Sequence, residues 1–149
     1  MGKGMRWLRV LCVCAMLCIF ATLLTAAAES PETRTVESLL KTRVAILNNM
    51  GNITCSEGQE QLKKVETDAL YTKDVENIRA YDASDYDAME KMEILSLQRQ
   101  GKVCDILHYE AKIRWNCVGY DGAYVDTATY QIGVSCKDDT YRLISIEIL

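Results

Sequence analysis

Between Val103 and Cys136 the chain alternates apolar and polar residues, and no other feature constrains the fold as much. In the first arm Val103, Leu107, Tyr109, Ala111, Ile113, Trp115 and Cys117 hold the odd positions, with Asp105 the exception. His108, Glu110, Lys112, Arg114 and Asn116 hold the even ones. The second arm carries Tyr124, Ala128, Tyr130, Ile132, Val134 and Cys136 at even positions, interrupted by Asp126. A period of two is the pattern of a strand with one dry and one wet face. Gly119-Tyr-Asp-Gly122 separates the arms and reads as a turn. Treated as a four-residue loop, it pairs Val118 with Ala123, so that paired numbers sum to 241. A hairpin of this length needs something to cover its dry face.

The cover comes from the preceding residues. Glu29 to Thr33 is a polar lead-in, and Val36, Leu39, Leu40, Val44, Leu47 and Met50 then fall on a helical stripe ending at Gly51. Ser56 and Gln59 have capping-box spacing, so a second helix is expected from Ser56, with the stripe Leu62, Val65, Ala69 and Leu70. A shorter helix is expected over Lys73 to Tyr81, then an acidic connection, Asp82 to Asp87. Met92 to Gln100 reads as a strand with its turn at Gly101-Lys102. Lys137-Asp-Asp139 reads as another turn, and Tyr141 to Leu149 as the closing strand. The expected fold is α+β: two or three N-terminal helices packed on one face of a four-stranded antiparallel meander.

Helices first and a long curved sheet after them, over about Val36 to Leu149, resemble the cystatin-like and nuclear transport factor 2-like superfamily. Arg43-Val-Ala-Ile-Leu-Asn48, Leu62-Lys-Lys-Val-Glu66 and Tyr109-Glu-Ala-Lys-Ile-Arg-Trp115 resemble segments of small exported proteins of Gram-positive bacteria. That likeness implies compartment and fold, and no particular chemistry. Gln131-Ile-Gly-Val134 has a superficial likeness to the Gln-x-Val-x-Gly inhibitory loop of cystatins. Its glycine and valine are misplaced and mid-strand, which argues against protease inhibition.

The N-terminus indicates export. Lys3, Arg6 and Arg9 precede an uncharged run from Val10 to Ala28 that ends in Ala26-Ala-Ala28, as a cleavable signal would. The run reaches about 28 Å as a helix, just enough for a bilayer core, so residues 1–28 are expected to be a signal peptide or a signal anchor. Residues 29–149 then form a single exported domain, secreted or extracytoplasmic, with a membrane tether through residues 10–28 as the anchored version. Without the three leader cations, 14 of the 17 Lys and Arg remain against 21 Asp and Glu, a net charge of −7. So acidic a domain, with no basic run, is not a nucleic-acid binder.

The exported part holds Cys55, Cys104, Cys117 and Cys136, an even number that suggests two disulfides. Cys117 and Cys136 sit about 40 Å apart on regular arms, too far to join. The favoured pairing is Cys104–Cys136, which needs a bulge or a frayed start at Val103, with Cys55–Cys117 tying the helices to the sheet; the alternative is four buried or free thiols. With no Cys-x-x-Cys and a single histidine, His108, no metal or cofactor is expected. His108 falls on the wet face beside Glu110. Asp82, Asp85 and Asp87 lack EF-hand order. Asn52-Ile-Thr54 would accept a glycan in a eukaryotic secretory pathway.

Candidates for a ligand pocket on the helix-side face are Asp105, Tyr109, Trp115, Tyr124, Asp126, Tyr130 and Arg142. No phosphate loop, nucleophile elbow or zinc helix appears. The expected function is that of an exported domain without a catalytic motif, binding a protein or small-molecule partner outside the cell or at its surface. The alternative is a small enzyme whose cone-shaped pocket holds Asp126 or Asp105 as acid/base. Whether the layer between sheet and helices is filled or hollow separates the two.

Overall fold

The computed structural model describes residues 30–80 and 88–149, so the expected leader and the expected acidic connection from Asp82 to Asp87 lie outside the described residues. Three helices, α1 (Pro31–Asn48), α2 (Cys55–Val65) and α3 (Asp68–Ala80), precede four strands. These are β1 (Ala88–Val103), β2 (Ile106–Gly119), β3 (Gly122–Lys137) and β4 (Thr140–Ile148), an antiparallel meander in chain order. Among the described residues no helix is long and apolar enough to cross a membrane.

Local chemistry sets the helix ends. Pro31 opens α1, inside the polar lead-in, because a first-turn residue has no intrahelical use for an N–H. The cap of α2 is Thr54, not Ser56. The Thr54 hydroxyl accepts from the Glu57 N–H, and the Glu57 carboxylate accepts from the Thr54 N–H at 2.9 Å. The apolar stripe from Leu62 to Leu70 crosses a break at Glu66-Thr67. There the chain is extended, Glu66 bridges in parallel to Leu143, and the Thr67 N–H donates to Leu143 O at 3.0 Å. Helix α3 therefore starts earlier than the sequence pattern indicated.

The sheet keeps the hairpin register. Val118 faces Ala123 and Ile106 faces Ser135 without a bulge anywhere between β2 and β3. Gly119 and Gly122 also pair, leaving only Tyr120 and Asp121 in the turn; Gly122 has φ 115°, a region side chains rarely adopt. Strand β1 runs past the turn expected at Gly101-Lys102, and the reversal falls at Cys104-Asp105. It is irregular, with register shifts at Met89/Lys91, Ile94/Ser96 and Arg99/Gly101. Each extra residue bends the strand and adds twist. Asp138 and Asp139, both at positive φ, make the two-residue β3–β4 turn.

One layer of side chains joins sheet to helices. Leu107, Tyr109, Ala111 and Ile113 of β2 lie buried with Ile132 and Val134 of β3 and Leu143 of β4, against Val36 and Leu40 of α1 and Leu70 of α3. The parity is as the sequence requires: Ile132 is buried and Trp115 half-buried, while Arg114 and Gln131 are exposed. A smaller cluster, Ile46, Leu62 and Val65, locks α1 to α2. Ile113→Ala should therefore cost about 2–5 kcal/mol, whereas Arg114→Ala one residue away should cost less than about 1 kcal/mol. Urea denaturation of the two variants checks this; equal losses would contradict the assignment of faces.

Candidate functional site

The seven pocket candidates do not converge. Tyr109 is fully buried in the core, its hydroxyl facing Thr33 in the first turn of α1, and burial pushes its phenol above the usual range. Arg142 is exposed, because alternation turns its neighbours Tyr141 and Leu143 toward the core and leaves it facing away. Asp105 is exposed in the β1–β2 turn, where its backbone carbonyl accepts from the Cys136 N–H at 2.8 Å. Asp126 has helix-side parity, opposite Trp115, yet it is exposed and its Oδ1 accepts from the Thr127 N–H at 2.8 Å. The expectation that Asp105, Asp126 and Arg142 project into a helix-covered pocket is thus corrected. Alternation assigns a face, but the part of that face packed with the helices runs from Leu107 to Ile113 and stops short of Asp126.

Four candidates do gather at the other end. Trp115 of β2 pairs with Asp126, and Tyr124, Asp126 and Tyr130 share the helix-side parity of β3 with Ala128 between the last two, while Met89 and Met92 lie alongside on β1. The Trp115 indole N–H donates to the Tyr130 hydroxyl at 2.8 Å, with the rings edge to face at 6.3 Å between centroids. Both rings are half-buried, and Tyr124 is 44% exposed. This patch is apolar in character, aromatic, and bears one exposed carboxylate.

Among the described residues the four cysteines, Cys55, Cys104, Cys117 and Cys136, are free thiols. Cys104 takes φ 52° in the tight turn, and the half-buried Cys136 donates its Sγ–H to Asp105 O at 3.3 Å, so the expected Cys104–Cys136 bridge is not formed. Cys55 is exposed in the first turn of α2 and Cys117 half-buried near the far end of β2. Among the described residues no three His, Cys, Asp or Glu side chains are grouped to hold a metal. His108 is half-buried on the face away from the helices, and Asn52 is exposed. The surface does offer an open groove of about 550 Å³ between α1 and α2, lined by Thr42, Ala45, Ile46, Asn48, Asn49 and Gln61.

Sequence reasoning missed the polar cluster where the helices meet β4. Arg43 of α1 donates through Nε to Glu66 Oε1 at 2.6 Å and to Asp74 Oδ2 at 2.8 Å. Glu66 is 1% exposed and Asp74 4%. No protein N–H reaches Glu66 Oε2, so it can hydrogen-bond the neighbouring Asp74 carboxylate only if one of the two acids keeps a proton. Burial, and then Asp74, raise the Glu66 pKa to about 8 against the opposing pull of Arg43. One guanidinium thus faces two acids and balances one ionised carboxylate. In sequence, Glu66 and Asp74 resemble surface helix acids; only a half-polar position such as Arg43, beside the apolar Val44, could have hinted otherwise.

Unfolded Glu66 would titrate near 4.5 and the folded form near 8. Across that window the native chain holds a proton that the unfolded chain has lost, so its stabilising contribution, full below about pH 4.5, is lost as pH rises toward 8. Glu66→Gln, which mimics the protonated acid, should flatten the fall in stability between pH 5 and 8 seen in urea melts. Arg43→Ala should destabilise the fold by about 3–5 kcal/mol at pH 7 by stranding buried acid.

No family model and no curated protein matches this chain. Among solved structures, the crystal structure of the intermembrane space region of the chloroplast protein ARC6 is similar, with a TM-score of 0.50 at 12% identity. The match covers 81% of this chain and 98% of that one. At that identity the likeness is one of fold alone.

Proposed function

We propose that this chain is an exported interaction domain that binds its partner through the patch of Trp115, Tyr124, Asp126 and Tyr130, outside the cell or at its surface. The observation that carries the reading is the division of the helix-side face. Its covered end is packed with side chains, while its uncovered end keeps aromatics half in water beside an exposed carboxylate. Aromatic rings with a polar tip supply contact area at small entropic cost, which suits recognition. The single carboxylate and the acidity of the domain favour an apolar segment that carries a cation or an N–H donor. The element order supports a cystatin-like or nuclear transport factor 2-like architecture. The leader composition supports export, with residues 10–28 as tether if the leader is retained.

The enzyme reading has less behind it. Asp105 and Asp126 lie toward opposite ends of the sheet, both exposed, with packed core between them. Acid/base work needs a carboxyl held in an enclosed site.

Two experiments test the proposal. Fractionation of producing cells should place the chain in the medium or envelope; a wholly cytoplasmic chain would sink the export half. Partners cross-linked at the cell surface should be retained about tenfold less by Asp126→Lys, and equally by Glu110→Lys on the exposed opposite face. Equal retention by both variants would remove the patch from the account.

A further inference from the structure

The sheet has a gap in its protection. Strand β4 ends opposite Tyr130: Tyr130 pairs with Ile148, and the Leu149 N–H donates to Thr129 O at 3.0 Å. From Gly122 to Ala128, therefore, β3 is paired on one side only among the described residues. The other two edges are managed. Strand β1 carries three register shifts, and β4 carries one and takes the Thr67 N–H at Leu143 O. Bulges and covering segments are how natural sheets blunt their edges. The β3 stretch Ala123-Tyr-Val-Asp-Thr-Ala-Thr129 is unbulged, rich in β-branched and aromatic residues, and charged only at Asp126. Val125 on it is 62% exposed.

The direction of its backbone groups follows from two hydrogen bonds. Thr129 O points away from β2, since it takes the Leu149 N–H, and the Cys136 N–H points toward β2, since it reaches Asp105 O. With no register shift between these positions, odd-numbered residues present their N–H and C=O to the open edge. The outward groups are those of Ala123, Val125 and Thr127. The Thr127 N–H already leaves the ladder for the Asp126 side chain, as an outward donor would.

We propose that this edge pairs with the same edge of a second copy of this chain, antiparallel about a two-fold axis through Val125. The register is chosen by charge. A two-fold axis in an antiparallel pair places one residue opposite its own copy. Centring on Asp126 would set two carboxylates face to face, whereas centring on Val125 sets Asp126 opposite Tyr124 of the second copy. It also sets Val125 against Val125 of the second copy, and Ala123 against Thr127. The outward groups then meet in about six backbone hydrogen bonds, with the Asp126 side chain giving up the Thr127 N–H and Leu149 leaving Thr129, which the turn of the second copy reaches. Two four-stranded sheets become one of eight strands, and the two aromatic patches lie side by side on one face. The inference does not depend on export or on what the patch binds.

Sedimentation velocity of the full chain in density-matched detergent, over a series reaching about 100 μM, tests it. The wild type should reach a dimer. Val125→Pro removes only an N–H that the chain's own ladder does not use, a place where proline is tolerated. It should weaken association about thirtyfold, the equivalent of two lost hydrogen bonds. Val125→Lys places two cations opposite each other and should leave monomer, with circular dichroism unchanged, even if the proline variant fails to fold. A wild type that stays monomeric throughout, or a dimer that survives Val125→Lys, overturns the proposal. So does a monomer that pairs this edge with an unrelated extended peptide.

Discussion

The structure depends on burying one face of a sheet that is longer than the helices above it. Alternation along β2 and β3 commits a row of side chains from Leu107 to Cys117, and from Tyr124 to Val134, to the same side. Three helices provide the cover, but the buried cluster that α1 and α3 share with the row runs from Leu107 to Ile113 on β2 and over Ile132 and Val134 on β3, and goes no farther. One sequence rule therefore produces two environments. Under the helices it produces a packed core; beyond them the same parity leaves Trp115, Tyr124 and Tyr130 at a boundary with water. Core and candidate site are the covered and uncovered parts of a single stripe.

The joint between α2 and α3 shows how the cover is held in place. The chain leaves the helix for Glu66 and Thr67, and those two residues touch β4 through backbone groups. Breaking a helix against a strand brings a carboxylate into the interior, where an ion costs more than a hydrogen-bonded neutral group. Arg43 from α1 and Asp74 from α3 meet it there, so three helical segments are tied at one point. A charge cluster with one cation and two acids is easier to bury with a proton retained. The position of the helices is thereby coupled to the acidity of the surroundings.

The residues differ in how legible they were. The β2–β3 register could be read because the hairpin is unbulged and its turn is marked by Gly119 and Gly122, so counting from the turn placed Val118 opposite Ala123. Strand β1 could not, since its helix-side residues Met89, Met92, Ile94, Leu97 and Arg99 are spaced three, two, three and two apart. That spacing fits neither period, because each register shift moves the count by one. The α2–α3 break was hidden because Leu62, Val65 and Leu70 look continuous whether or not the helix is. Asp126 was misplaced for another reason: periodicity tells which way a side chain points, not whether anything sits above it. Arg43, Glu66 and Asp74 come together only through tertiary structure, and no local pattern announces a meeting of three segments.

Trp115 has a further use. The chain has two tryptophans, Trp7 in the segment expected to be a leader and Trp115 on β2. If residues 1–28 are removed, the tryptophan fluorescence of the domain originates from one ring, half-buried, with its N–H on the Tyr130 hydroxyl. Its emission colour and quenching are thus a built-in optical gauge of the aromatic patch, readable without any label.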